Sequence, residues 1–490
     1  MSHSSSSVFS QNSFAAKVHN DDYFTQAQAV IKQAQDANLE TIRIVFVDQH
    51  GITRGKTIML SALKSAFESG VSMTSTLLLK DTSHATVFPV WEDDAGMGKG
   101  VMTGASDFLM LPDPTTFKVL PWTGDDAPTT GWIISDIFQT DGTPITFSTR
   151  EILRKALSRL HKKGLEFVSG LEVEFYVLNV DNPNLDHKNA NRPEDPPQTS
   201  LLSHGYQYLT ENRVDQIDDV LETLRINAQK LGLPLRSMES EFGPSQFEFT
   251  FEPSSGMATA DLMVLFRNMV KQVCQRHGLH ATFMSRPSFK SAMGSGWHLH
   301  QSLVDLKTGV NNFIPAQGQD LTELNSQWIA GILKHAKASC LLTTPTVNGY
   351  KRYAQFGLAP DRIQWGHDNR GSMLRSLAKA GDKASRVENR IGEPAANPYL
   401  YLASQILCGL DGIDNNLAAP APVETPYSSD DTMLPNNLGS AITAFEESKF
   451  YRQSLGDEFV DYLCRIKTAE WNRYLGTVSE WEQREYFSLF

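Results

Sequence analysis

Residues 171–178 read LEVEFYVL, and the alternation in this stretch organises the rest of the chain. Successive residues of a strand point to opposite faces of a sheet. Glu172 and Glu174 therefore share one face, while Leu171, Val173 and Phe175 take the other. Three further segments repeat the device. In ESEFGPSQFEFTF (239–251), Glu239 pairs with Glu241 and Gln246 with Glu248. In GSGWHLHQSL (294–303), His298, His300 and Ser302 line up opposite Trp297, Leu299 and Gln301. In SRVENRIG (385–392), Arg386, Glu388 and Arg390 line up. Any one of these alone reads as a solvated face or an ion-pair ladder. Together they gather carboxylates that are costly to bury unless cations offset them. Divalent metal plus arginine is the simplest compensation. Oxygen ligands with one or two imidazoles favour Mg²⁺ or Mn²⁺ over zinc.

A second arginine cluster, Arg352, Arg370 and Arg375, lies in NGYKRYAQFG (348–357) and NRGSMLR (369–375). Arginine presents a planar fork suited to carboxylate and phosphate. Metal-holding carboxylates facing arginines is the layout that phosphoryl transfer requires. No GxxxxGK[ST] appears, so the chain is not a P-loop enzyme. No GxSxG elbow and no GxGxxG after a strand supports a hydrolase or a dinucleotide enzyme.

Composition agrees. The chain has 490 residues, with Lys+Arg 44 against Asp+Glu 56 and a formal charge of -12. That balance argues against nucleic-acid binding, which needs a basic face. A hydrophobic fraction of 40% supports a buried core. There is no run of about 18 apolar residues, so no membrane span is expected. The opening MSHSSSSVFSQNS lacks the order of a signal peptide, and residues 1–20 are expected to be a disordered tail. Cys274, Cys340, Cys408 and Cys464 are far apart and read as reduced, mostly buried thiols of a cytoplasmic protein. The β-branched run TIRIVFVDQHGITRGKTI (41–58) reads as two strands about a turn at Gly51. TREILRKALSRLHKKG (149–164) has helical spacing, a Ser148/Thr149 start and a Gly164 stop. Helices are also expected over 214–232, 261–278, 323–340, 399–410 and 457–489, and a polar loop over 181–198. Strands mixed with helices give an α/β or α+β class.

In order along the chain, VDQHGITRGK, DFLMLPDPTTFKVLPW, the ExEFY strand, GSGWHLHQSL, NGYKRY, NRGSMLR, RVENR and NPYLYLASQILCGLDGI resemble the glutamine synthetase family and its γ-glutamyl-amide ligase relatives. The resemblance implies an α+β fold with a β-grasp domain over 21–125. A catalytic domain over 126–490 would carry a curved antiparallel sheet forming a funnel surrounded by helices. It implies sites between neighbouring subunits of a homo-oligomer, commonly a dodecamer of two hexameric rings. It also implies a two-step reaction, in which ATP phosphorylates the γ-carboxylate of glutamate and an amine displaces phosphate. By resemblance, Glu174, Glu241 and Glu248 match one metal site, and Glu172, His298 and Glu388 the other, for Mg²⁺ or Mn²⁺. His300, Ser302, Arg375, Lys383 and Arg386 match ATP-contacting positions. Gly294, Arg352 and Arg390 match glutamate-holding positions, and Arg370 matches the arginine beside the transferring phosphate.

The departures concentrate at the amine position. The family's flap carboxylate corresponds to Leu358 in FGLAP, and its ammonium-binding Asp to Thr74 in SGVSMTSTLLLK, with Leu77 at a nearby Ser position. Met293 replaces an Asn, and the pocket Tyr aligns with Tyr208, with Tyr206 as the alternative. Buried ammonium needs acceptors to replace its water. Thr, Leu and Met suit an apolar group, whose burial is worth about 25 cal/mol per Å². An aromatic amine is also neutral at pH 7 and needs no deprotonation before attack. The expected substrate is therefore a hydrophobic primary amine: aniline first, isopropylamine second, ammonium third. A non-catalytic relative would have lost metal and phosphate residues that are present here. The adenylylation Tyr of some bacterial members corresponds to Ala418 in NNLAAPAP, so no such modification is expected.

Overall fold

The computed structural model describes residues 9–10, 12–94, 102–184, 186–353 and 359–490. The run at 41–58 forms a hairpin, β1 (Thr41–Val47) antiparallel to β2 (Thr53–Met59). Gly51 turns it at φ 78°, where a Cβ would also sit 2.9 Å from the Arg267 guanidinium. With β3 (Val71–Thr74), β4 (Asp107–Pro112), β5 (Lys118–Val119) and β6 (Thr130–Phe138) it builds a first sheet. The order is β2-β1-β6-β4-β3, with β5 beside β6. β6 lies beyond residue 125, yet it pairs parallel with β1 and antiparallel with β4, so it belongs to this sheet. The helix Asp21–Asp36 buries Tyr23, Ala27, Val30 and Ala34, an apolar stripe at helical spacing. Part of the segment expected to be a disordered tail is ordered. Ala15–Val18 form a helical turn, and Phe9 packs on Phe24 with ring centroids 5.3 Å apart, because both segments bury apolar side chains in the first domain.

The second sheet contains β7 (Leu165–Val180), β8 (Thr199–Leu201), β9 (Leu235–Ser240), β10 (Gln246–Phe251), β11 (Ser254–Ser255) and β12 (Leu279–Thr282). β13 (Trp297–Asp305), β14 (Trp365–His367), β15 (Leu374–Ser376) and β16 (Val387–Asn389) complete it. Its main path is β14-β15-β16-β13-β7-β10-β9, antiparallel except for β14 with β15. The sheet's apolar face, with Leu171, Val173, Phe175, Phe247 and Phe249, packs in the core, leaving the polar residues on the other face. Helices Thr149–His161, Met257–Arg276 and Pro398–Asp414 are among those that surround it. Ser148 caps the first of these through the Glu151 N–H. The expected helix at 323–340 is two, Glu323–Lys334 and Ala336–Thr343. His335 leaves helical geometry between them, bonded to Asp411 at 2.8 Å and stacked on Phe450.

One ion cluster joins the two sheets' domains. Arg150 donates to Asp113 and Asp136 of the first domain and to Asp261 of the second, at 2.8–3.2 Å. All four cysteines are buried and free. Among the described residues, no helix is long and apolar enough to cross a membrane.

Candidate active site

Strand register brings the four alternating segments together. Glu172 lies opposite His298, Glu174 opposite Glu248, and Glu248 opposite Glu239. Glu388 lies between His300 and Arg375. His298 Nδ1 is 2.6 Å from Glu172, and His300 Nε2 is 3.1 Å from the other Glu172 oxygen. Arg375 donates to Glu388 at 3.0 Å, and Arg390 pairs with the second Glu388 oxygen.

Three groups each place their ligand atoms within 4.8 Å of one another: Glu172/Glu248/His298, Glu172/His300/Glu388 and Glu239/Glu241/Glu248. Burial and the neighbouring Glu241 push Glu174 up to about 8. Burial with Glu239 and Glu172 nearby raises Glu241 to about 7. Glu248, 7% exposed and without a hydrogen bond among the described residues, is pushed up to about 11 by burial and by Glu172 and Glu174. Burial opposes ionisation of Glu388 too, but Arg390 and His298 hold it below the usual range. Carboxylates that repel one another in a buried pocket lack positive charge. Oxygen donors with an imidazole therefore fit a hard divalent cation.

This has a measurable consequence. Raised carboxylates hold protons near neutrality, and a cation must displace them. Mg²⁺ or Mn²⁺ binding is expected to release protons at pH 7 and to tighten as pH rises. Calorimetry in two buffers of different ionisation enthalpy checks this, and equal heats in both would contradict it.

Beside the carboxylates, Arg352 is 5% exposed and donates to the Ile391 and Gly392 carbonyls at 3.2 and 2.8 Å. Its Nε is buried without a partner among the described residues. The GSG turn runs against it. A Cβ on Gly296 would meet Arg352 Nη2 at 2.7 Å, and one on Gly294 would meet Arg352 Cγ at 3.0 Å. Arg390 also donates to the Arg370 carbonyl at 3.0 Å. The Arg370 side chain is exposed and makes no hydrogen bond among the described residues. On the other flank, Arg386 donates to His300 Nδ1 at 3.0 Å, and Arg375 also binds Asp368. Ser302 is half-buried on β13, and Lys383 is exposed.

The residues expected at the amine position fall into two groups. Tyr208 stacks on Phe242, and Met293 is 40% exposed, its backbone bracketing the Tyr176 hydroxyl at 2.8–2.9 Å. Burial, with Glu241 and Glu248 nearby, pushes the Tyr208 hydroxyl up to about 12, whereas Tyr206 is 75% exposed. Thr74 and Leu77 sit in the first domain. Thr74 caps a short 3₁₀ helix, and Leu77 packs on the core. No hydrogen bond, ion pair or ring contact among the described residues joins them to Tyr208 or Met293. Leu358 lies outside the described residues.

Two site residues were singled out in the sequence only as sharing a strand face. Glu239 is set beside Glu248 by the β9–β10 register. Gln246 donates to Glu174 and to Ser295, both at 3.0 Å, and accepts from the Gly243 N–H, which fixes the Glu174 carboxylate. Their partners come from distant segments and were not readable from spacing.

A buried carboxylate cluster flanked by arginines on two sides suits metal-assisted phosphoryl transfer. The glutamine synthetase N-terminal domain description matches residues 26–145, and that of the catalytic domain matches 146–486. The chain belongs to the glutamine synthetase family. It is 40% identical over 484 residues to the gamma-glutamylanilide synthase of an Acinetobacter species, covering 94% of this chain and 96% of that one. It is 32% identical over 479 residues to the glutamine synthetase of Methanosarcina mazei, covering 95% and 98%. Ligand-free GmaS matches with a TM-score of 0.77 at 26% identity, over 93% of this chain and 99% of that one. A GmaS–ADP complex matches with the same score and identity, over 94% and 99%. The reaction is glutamate–amine ligation.

Proposed function

We propose that the protein joins the γ-carboxylate of L-glutamate to aniline, with ATP, through γ-glutamyl phosphate. The observation that carries this reading is an acid- and arginine-rich centre beside which the Tyr208 ring stands half-exposed, stacked on the Phe242 that follows Glu241. The 40% identity to gamma-glutamylanilide synthase supports it.

Glu174, Glu241 and Glu248 would hold one Mg²⁺ or Mn²⁺, and Glu172, His298 and Glu388 a second. Metals held there would supply positive charge to offset that of the phosphates. Arg352 and Arg390 hold the glutamate carboxylate against the Gly294 turn. His300, Ser302, Arg375, Lys383 and Arg386 bind ATP. Arg370 stabilises the charge on the transferring phosphoryl group. The attacking nitrogen of aniline is already neutral near pH 7, so attack on the acyl phosphate needs no base first. As the N–C bond forms and the C–O bond to phosphate breaks, one of its two N–H protons passes to the departing phosphate. Thr74 and Leu77, in the first domain, reach the pocket of a neighbouring subunit in a ring. The assembly is a cytoplasmic dodecamer of two hexamers.

Amine-dependent ADP release tests this. Purified protein with ATP, Mg²⁺ and L-glutamate is given ammonium, isopropylamine, aniline or putrescine separately, and products are identified by mass. Release with aniline and little with ammonium is expected. Release with isopropylamine alone would make it an alkylamide synthetase. The identity to named glutamine synthetases makes ammonium the third reading. Release with ammonium alone would overturn the apolar-amine assignment.

A further inference from the structure

The amine side carries a feature that the metal, nucleotide and glutamate positions do not explain. The Tyr208 and Phe242 rings lie 4.2 Å apart at 8°, nearly parallel. Phe242 follows Glu241 directly, and its N–H donates to the Glu241 carboxylate at 3.1 Å, which ties the ring to the acidic cluster. Tyr208 covers one face of Phe242 yet stays 41% exposed, with no hydrogen bond to its hydroxyl among the described residues.

The segment bearing Tyr208 is strapped down. Leu202 N–H donates to Ser245 Oγ at 2.7 Å, and Tyr206 N–H to the Phe242 carbonyl at 2.8 Å. Leu209 N–H donates to the Ser240 carbonyl at 3.4 Å. A Cβ on Gly205 would lie 2.4 Å from Pro244 N, so the two segments touch backbone to backbone. Tyr206, Leu209 and Ser245 hold left-handed φ angles of 67°, 52° and 63°. Side chains rarely adopt that conformation, and it persists where the surroundings over-determine it, often around functional sites. Here the three strained residues bracket the ring pair.

We infer that Phe242 is a positioning residue that holds the Tyr208 ring as a flat wall against the aryl group of the amine, and so selects aryl over alkyl amines. An arene gains from a ring presented in a set plane, and a branched alkyl group gains only from apolar area. Phe242 acts through Tyr208 and does not itself touch the amine. The inference rests on the aryl-amine reading above.

The test is kcat and KM for aniline and for isopropylamine, on the full-length protein with ATP, Mg²⁺ and L-glutamate saturating. In Phe242→Leu, kcat/KM for aniline is expected to fall about tenfold, mainly through KM, while isopropylamine changes by less than about twofold. Phe242→Tyr keeps the ring and is expected to restore the wild-type ratio. Tyr208→Leu removes the wall itself and supplies the measurement if Phe242→Leu does not fold. An equal fall for both amines, or an unchanged ratio in a wild type that uses aniline, overturns the positioning role alone. A wild type active with ammonium only overturns the aryl-amine reading and this inference together.

Discussion

An Arg370→Ala enzyme is expected to bind ATP and glutamate and to turn over about 10³-fold more slowly than wild type. That magnitude is what an arginine placed on a transferring phosphoryl group is worth. Arg370 suits such an experiment because its side chain is exposed and makes no hydrogen bond among the described residues. Removing it breaks no buried network. Its backbone carbonyl, which accepts from Arg390, is untouched by the substitution. The loss should appear in kcat, with the KM for ATP and glutamate changed little, if the guanidinium acts, as proposed, on charge that develops during transfer. Arg370→Lys keeps the charge and loses the planar fork, so it should recover only part of the rate. Steady-state kinetics decide it. A kcat within tenfold of wild type would place Arg370 outside the reaction.

The second large effect concerns stability. Arg150→Met is expected to cost about 3–5 kcal/mol, because it strands buried carboxylates whose charge it balances. Asp113, Asp136 and Asp261 all accept from this one guanidinium, and among the described residues Asp136 otherwise keeps only Arg154 as a charged donor. Burial opposes ionisation of Asp136, but Arg150 and Arg154 hold it down to about 2. The sign follows from that depression. The wild-type contribution is present above the unfolded carboxylate pKa and is lost as pH falls through about 2. In the variant the stranded carboxylates protonate more readily, so the gap to wild type should narrow between pH 7 and pH 4. Denaturant midpoints at both pH values measure it. A gap that is absent at pH 7, or that widens on acidification, would show that the cluster does not clasp the domains as its geometry indicates.

Much of the site was legible because strand geometry has a period of two. LEVEFYVL, GSGWHLHQSL and SRVENRIG each assign residues to faces without any knowledge of the fold, and the four polar faces do meet. Several helices were legible from their spacing and caps, as Ser148 shows, but Asp21–Asp36, Leu438–Glu446 and Lys449–Leu455 were not read, and the expected 457–489 helix is two, Asp457–Leu475 and Glu480–Tyr486. Family membership was legible because the motifs occur in order over nearly the whole chain, and the matched domains at 26–145 and 146–486 bear it out.

Periodicity says which way a side chain points and nothing about which strand lies beside it. Only register set Glu239 against Glu248 and Glu388 between His300 and Arg375. Only packing placed Gln246 on Glu174, 72 residues away, and Arg150 between Asp113, Asp136 and Asp261. The same holds for the Tyr208–Phe242 stack, which depends on left-handed turns that no local preference of Tyr or Leu would favour. The sequence determined the chemistry, through residue types and their alternation. The tertiary structure decided the partners, because pairing energies depend on distances between segments far apart in the chain.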